Sequence, residues 1–319
     1  VVNNNFVFSK TKDDVIADFD ALCRTDADAM VIHHSQWSSR SGCPTPRKLY
    51  LYRVMRTGQL LSEYFHWKHR VRTRTIWMDS GANVLARWTR DPSFLKGASR
   101  RVRRHSPRQQ SEKADFLTVQ LNSALLTLTH FRATVSKHLC DTAPRAARVL
   151  DFSAGWGDRL TGFLASERVE CITLIDPRHG SIAACKQQHR FVKSQKILRT
   201  YEEGAETALP RLASRSVDLI VTSPPYFDLE HYGETAREAK GQIRTKVRSL
   251  DEYIAVFLEP VLRHCERVLA SGGTLAINID DNPRAGVAIC APALKIASSF
   301  PSLRLLGTAG LRKGKGFGQ

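Results

Sequence analysis

The run RVLDFSAGWGDRL, Arg148 to Leu160, decides the fold of this chain. A short strand-favouring segment ends at Asp151, Gly155 and Gly157 make a turn, and an amphipathic segment follows. That is the order in which a parallel strand feeds its crossover helix. The texture repeats downstream in VECITLIDPRHGSIAACKQQHRF, in KILRTYEEGAETALPRL and in VDLIVTSPPY. A helix from about Leu250 to Leu269 then leads into GGTLAINIDD. Short Val/Ile/Leu-rich strands alternating with helices bury both faces of a sheet, so the expected fold is α/β, a Rossmann-like doubly wound parallel sheet. Ligands bind such sheets at the carboxyl ends of their strands.

The turn after the first strand restricts the ligand. Gly155 and Gly157 permit a tight bend and close approach of backbone to a nucleoside, but Leu160 stands where a pyrophosphate turn would want a third glycine. Asp151 would also repel a phosphate. An acid there suits the ammonium of an amino-acid moiety, and Asp176, 25 residues later, has the spacing at which a carboxylate bonds ribose hydroxyls. Turn and acids together favour S-adenosylmethionine over NAD, with Ala154, Gly155, Gly157 and Asp158 of the turn lining the cofactor. By themselves the glycines are equally a plain structural turn. Glu206, after the third strand, either accepts from the adenine amino group or caps a helix.

The fourth strand runs into Thr222-Ser223-Pro224-Pro225-Tyr226, the most specific motif of the chain. Two prolines fix φ and remove two backbone donors, leaving carbonyls on a rigid turn. The nitrogen of a planar exocyclic amine becomes nucleophilic only as it pyramidalises. The Ser223 hydroxyl and the Pro224 carbonyl are placed to accept its hydrogens, with Tyr226 stacking on a base taken out of its helix. The bland alternative is a proline turn that merely ends a strand.

These residues carry a resemblance. DFSAGWGDRL, TSPPYFDLEHY and the helix LDEYIAVFLEPVLRHCERVL with GGTLAINIDD are similar to the amino-methyltransferases that modify DNA at N4 of cytosine or N6 of adenine. In particular they are similar to viral and eukaryotic members with a D-x-S-x-G-W-G-D-R turn. The resemblance covers about residues 128–280. It implies that Asp151, Ser153, Gly155, Gly157 and Asp176 hold S-adenosylmethionine, and that Ser223, Pro224, Pro225 and Tyr226 hold the target amine. Phe131, opening FRATVSK, would line the cofactor. Serine at the first motif position favours N4 of cytosine, because adenine enzymes usually carry D-P-P-Y or N-P-P-Y. Only about 40 residues follow Asp280, so target recognition would fall to the amino-terminal half and to the loop from Phe227 to Arg248.

Charge supports a polyanionic partner. The chain of 319 residues has 48 Lys and Arg against 31 Asp and Glu, a net charge of +17, and from Arg40 to Arg108 there are 17 bases and three acids. The excess is thus concentrated in one segment, which places a boundary near residue 110. Residues 1–110 read as a basic, mainly helical nucleic-acid-binding region and 111–319 as the methyltransferase domain, with its last strands incomplete. A helix is expected from about Asp13 to Cys23. Near-helical spacing with interleaved aromatics recurs between Pro46 and Trp77, and a long helix is expected over 111–140. Arg100, Arg101, Arg103, Arg104 and Arg108 are candidates to track a phosphate backbone or to form a nuclear import signal.

Other classes fit less well. The seven cysteines are widely spaced without a C-x-x-C pair, so they read as reduced thiols rather than disulfides or a metal site. No stretch approaches the about 18 uncharged apolar residues of a membrane span, nor does the start resemble a signal peptide. An intracellular protein is expected, nuclear if eukaryotic and otherwise cytoplasmic. The lack of a starting Met and the ending GKGFGQ suggest a fragment. A C5-cytosine enzyme would need a Pro-Cys nucleophile, which is absent. An N6-adenine DNA enzyme, an RNA amino-methyltransferase and a non-catalytic nucleic-acid-binding subunit remain as alternatives.

Overall fold

The computed structural model describes residues 10–34, 49–52, 55–72, 74–75, 131–225, 227, 230–231, 241–281 and 286–311. The chain opens with α1 (Lys12–Cys23), fixed at its start by a capping box. The Thr11 hydroxyl accepts from Asp14 N at 3.1 Å while the Asp14 carboxylate accepts from Thr11 N at 2.8 Å, satisfying two donors a helix start leaves open. Strands β1 (Val31–His34) and β2 (Leu49–Tyr52) follow, then α2 (Gln59–Arg72) and the short β3 (Arg74–Thr75). The stretch from Pro46 to Trp77 is therefore not helical throughout. LYLY alternates with the period of a strand, and Gly58, at φ +81°, breaks the path before α2 begins.

The second part runs α3 (Ala133–Thr142), β4 (Arg148–Asp151), α4 (Asp158–Ala165), β5 (Cys171–Ile175), α5 (His179–Phe191), β6 (Ile197–Tyr201), α6 (Ala205–Ala208) and β7 (Val217–Thr222). It continues through β8 (Glu230–His231), α7 (Leu250–Tyr253), α8 (Glu259–Val268), β9 (Leu269–Ile277), α9 (Cys290–Ser299) and β10 (Ala309–Leu311). Of the helix expected over 111–140, residues 131–140 are described, and it does not run through them: Phe131 and Arg132 are non-helical, Arg132 is extended, and α3 begins at Ala133. Between α7 and α8 the turns widen to a π-helix over Ile254–Leu258. Pro260 has no N–H to donate to the carbonyl of Val256, and the ladder resets there.

The main sheet has the order β6-β5-β4-β7-β9 with every pair parallel. This is the expected Rossmann-like arrangement. Its direction of winding reverses between β4 and β7, which opens the crevice for a ligand at their carboxyl ends. Both faces are covered. One carries Leu150, Ile175 and Ile220 against Val261, Leu262 and Ala293 of α8 and α9. The other carries Val149, Ile172 and Leu219 against α3, α4 and α5, and the same cluster takes in Val15, Tyr52 and Leu61. The first two helices thus share the core of the parallel sheet.

Helices α3 and α4 cross closely because Gly162 has no side chain. A Cβ there would run into the Ser136 hydroxyl and the backbone carbonyl of Ala133, and the latter cannot move aside. That contact sets α4, and with it the turn at its amino end. A smaller sheet joins β1 antiparallel and β10 parallel to β2. No described helix is long and apolar enough to cross a membrane.

Candidate active site

At the end of β4, Asp151 is fully enclosed and its carboxylate accepts three bonds. They come from Arg159 Nε at 2.6 Å, Thr222 Oγ1 at 2.9 Å and Ser153 N at 3.1 Å. Its ion pair with Arg159 leaves the two side chains only 0% and 7% exposed, so neither charge meets water. Asp151 therefore faces the protein with its charge neutralised by Arg159, and it does not stand open to an ammonium group as its place in the sequence suggests.

Arg159 spreads its guanidinium over three elements. Besides Asp151 it donates from Nη2 to the Ser153 carbonyl and from Nη1 to the Ser223 hydroxyl at 3.0 Å. Its Cζ lies 5.3 Å from the centre of the Phe131 ring. A planar five-donor fork is the side chain that can do all this at once. The strand end, the glycine turn, the S-P-P-Y turn and Phe131 are gathered at one point.

The Ser223 hydroxyl has a second donor, Asn278 Nδ2 at 2.9 Å, and Asn278 N donates to the Thr222 carbonyl at 2.8 Å. Asn278 follows directly on β9, so pairing of β7 with β9 delivers it there. Pro224 is buried behind Ser223, and the Pro225 carbonyl accepts from the Tyr253 hydroxyl at 2.8 Å. Tyr253, itself buried at the end of α7, fixes the proline turn from below. Tyr226 lies outside the described residues, as do Arg100, Arg101, Arg103, Arg104 and Arg108.

The glycine turn suits close approach by a ligand. Gly155 has φ +55° and Gly157 φ +70°, a region that costs most residues strain. Among the described residues, a Cβ on Gly155 would find only the Ser153 carbonyl at 3.5 Å and Arg159 Nη2 at 3.8 Å, so these leave space beyond it. The Asp176 carboxylate borders that space. It accepts from Gly155 N at 2.8 Å and Arg178 N at 2.9 Å, one bond to each oxygen, which leaves acceptor capacity for further hydroxyls. Burial, opposed by the Arg178 charge and these amides, raises its pKa. The open cradle at Gly155 with Asp176 beside it fits a nucleoside cofactor. Ala154 is buried and its N donates to the Ile175 carbonyl, which anchors the turn to β5. Glu206 is paired with Lys246 Nζ at 2.5 Å.

Asp158 looks the other way. Its Oδ1 accepts from Gln59 Nε2 at 2.6 Å and from the Ser62 hydroxyl, both on α2. Farther along that helix, His66 is fully buried, with its ring 6.4 Å from that of Trp156. The Arg178 guanidinium stacks on Trp156 at 4.3 Å. The turn GWGD is thus braced by the polar face of α2.

The acids, the glycines and the motif serine are legible in the sequence; Arg159, Asn278, Tyr253 and the polar residues of α2 are not. Arg159 and Asn278 stood inside the quoted motifs, but nothing in their spacing shows that both converge on Ser223.

Residues 217–303 match the family model described as DNA methylase, of the N6/N4 amino-methyltransferase type. Over 86 residues the chain is 41% identical to Type II methyltransferase M.XycI from Xanthomonas campestris pv. cyanopsidis and 38% identical to Type II methyltransferase M.Cfr9I from Citrobacter freundii. Each match covers 27% of this chain and 26% of the relative, so the chain spans about a quarter of the length of the curated relatives it matches. A solved S-adenosylmethionine-dependent methyltransferase from Agrobacterium tumefaciens shows 19% identity and a TM-score of 0.35, covering 51% of this chain and 48% of that one. The fold assignment rests on strand order, not on that superposition. The matched residues 217–303 include S-P-P-Y and Asn278.

The brace on the glycine turn has a pH dependence. Burial, aided by the Arg178 charge and with smaller contributions from His69 and Arg70, holds the His66 pKa well below its ordinary value. The Asp158 charge acts in the opposite sense. The unfolded chain then takes up a proton at about pH 6.5 that the folded chain refuses, so this contribution to stability is present above that pH and lost as pH falls. Urea midpoints measured from pH 7.5 to 5.5 should decline, and His66→Asn should flatten part of the decline. An unchanged slope in that variant would show that His66 is not the group responsible.

Proposed function

We propose that this chain transfers a methyl group from S-adenosylmethionine to an exocyclic amine of a DNA base, with N4 of cytosine preferred. The observation that carries the reading is the convergence, at the reversal point of the parallel sheet, of an open glycine turn bordered by Asp176 and a serine-proline-proline turn held against it by Arg159. Position and identity of these groups match what direct transfer needs.

The cofactor, when bound, supplies an electrophilic methyl on a sulfonium. Asp176 and the Gly155 backbone would hold its ribose and amino-acid parts, with Phe131 and the remaining turn residues lining it. The protein's own work is then positioning and exclusion of water. Bringing two reactants into alignment contributes up to about 7 to 11 kcal/mol of barrier lowering. The Pro224 carbonyl accepts an amine hydrogen, and Tyr226 stacks on the extruded base. No protein nucleophile is needed. Cys140, Cys185 and Cys265 are buried with their thiols pushed up in pKa by burial, which keeps them un-ionised.

Serine as the first motif residue supports cytosine over adenine, and the basic segment from Arg40 to Arg108 supports a nucleic-acid partner. The test is incubation with unmethylated DNA, and separately with RNA, in the presence of labelled cofactor, followed by mass spectrometry of the nucleosides. The expected product is N4-methyldeoxycytidine. N6-methyladenine would reassign the base, label in RNA alone would reassign the substrate, and a methyl on ring carbon would overturn the mechanism.

Two further outcomes follow from the site and the charge. Asp176→Ala should weaken cofactor binding by about 1 to 3 kcal/mol, the cost of leaving a buried hydroxyl unmatched, as read by calorimetry. Unchanged affinity would remove Asp176 from the cofactor site. If the basic segment meets about five phosphates, log affinity for DNA should fall against log salt with a slope of about −4.5. Replacing Arg100, Arg101, Arg103 and Arg104 by Gln should flatten that slope and spare cofactor binding; an unaltered slope would show those arginines to be ordinary surface.

A further inference from the structure

The Ser223 hydroxyl is held in one hydrogen-bonding sense. A serine hydroxyl has two acceptor lone pairs and one proton to donate. Arg159 Nη1 at 3.0 Å and Asn278 Nδ2 at 2.9 Å take both lone pairs. Both donors are fixed by other bonds: Arg159 by Asp151 and the Ser153 carbonyl, Asn278 through its backbone N to the Thr222 carbonyl. Arg159 is moreover cationic and nearly enclosed, so it draws electron density from the oxygen and makes the proton a stronger donor. Ser223 remains partly exposed, so the proton can face a ligand. An amine hydrogen brought to this oxygen would be a third donor where no lone pair is left.

We infer that Ser223 is a hydrogen-bond donor to the ring nitrogen beside the target amine, and that this contact, rather than acceptance of an amine hydrogen, makes it a specificity-determining residue. The inference rests on the amino-methyltransferase reading above. In cytosine the exocyclic amine is flanked by N3 and in adenine by N1, each an unprotonated acceptor on the pairing edge. The Pro224 carbonyl then accepts one amine hydrogen while Ser223 donates next to it, so a donor and an acceptor read two adjacent atoms. On its pairing edge guanine carries N1–H beside the exocyclic amine, with its ring acceptor N3 on the opposite side. A guanine presenting that edge would set a donor against the Ser223 proton and leave a buried unmatched pair. Arg159 and Asn278 are positioning residues in this scheme, since they set the hydroxyl without touching the base.

The experiment crosses enzyme and base. DNA duplexes carry either the base that the wild-type chain methylates or its deaza analogue, 3-deazacytosine for cytosine or 1-deazaadenine for adenine, which keeps the amine and replaces the ring acceptor by C–H. Single-turnover transfer from labelled cofactor is measured for wild type, Ser223→Ala and Asn278→Ala, with cofactor affinity read by calorimetry and folding by thermal unfolding. Wild type should act about tenfold more slowly on the analogue, the rate equivalent of one hydrogen bond. Ser223→Ala should show nearly the same rate on both bases. Asn278→Ala, which frees one lone pair, should lose most of the discrimination while binding cofactor like wild type. An equal ratio of rates in wild type and Ser223→Ala, or full discrimination in a folded Asn278→Ala, would overturn the donor assignment while leaving the methyltransferase reading in place. A wild-type chain that methylates no DNA base would overturn both.

Discussion

The buried pair of Asp151 and Arg159 is the constraint on which the site depends. A charge taken out of water must be matched, and here it is matched by one guanidinium and two neutral donors around a carboxylate with no exposure. The guanidinium still has donors to spare, and it spends them on the Ser153 carbonyl and the Ser223 hydroxyl. One electrostatic necessity inside the sheet therefore fixes the relation between the glycine turn after β4 and the proline turn after β7. Removing either partner would strand the other, so the pair behaves as a strut rather than as an optional contact.

The strut works only because neighbouring elements hold its ends. Strand β9 carries Asn278 to Ser223, and the register of β9 on β7 determines that the amide arrives beside the hydroxyl. Tyr253 does the same for the Pro225 carbonyl from the end of α7, just before the π-turn that Pro260 imposes. The crevice is thus lined by groups whose orientation is settled by bonds to backbone and to each other. Among the described residues, these groups are held in place before any ligand arrives.

A second dependency runs to the amino-terminal part of the chain. Helix α2 lies between the basic stretches of the sequence, yet it bonds Asp158 through Gln59 and Ser62, packs His66 near Trp156 and contributes Leu61 to the core below the sheet. The turn that fits the cofactor is shaped from both sides. The acids of β4 and β5 act from the sheet, and the polar face of α2 acts from outside.

The sequence by itself determined the strand-turn-helix order, the parallel sheet and the two turns that face its crevice, because hydrophobic period, glycine and proline act through local backbone preferences. The capping box at Thr11 was equally local, and the expected helix from about Asp13 is found as Lys12–Cys23. The strand at Leu49–Tyr52 escaped because four alternating residues are short against a helical pattern on both sides, and only pairing with β1 and β10 selects it. Asp151 was legible as a site acid but not as an enclosed one. Its partner Arg159 lies eight residues on, and the rotation of α4 relative to β4, set where Gly162 meets α3, decides that they meet. Asn278 and Tyr253 are 55 and 28 residues from the groups they hold. Contacts across such separations depend on strand order and register, which no local preference encodes; the chemistry of the turns was written in the sequence, and the sense of each hydrogen bond within them was decided by the tertiary structure.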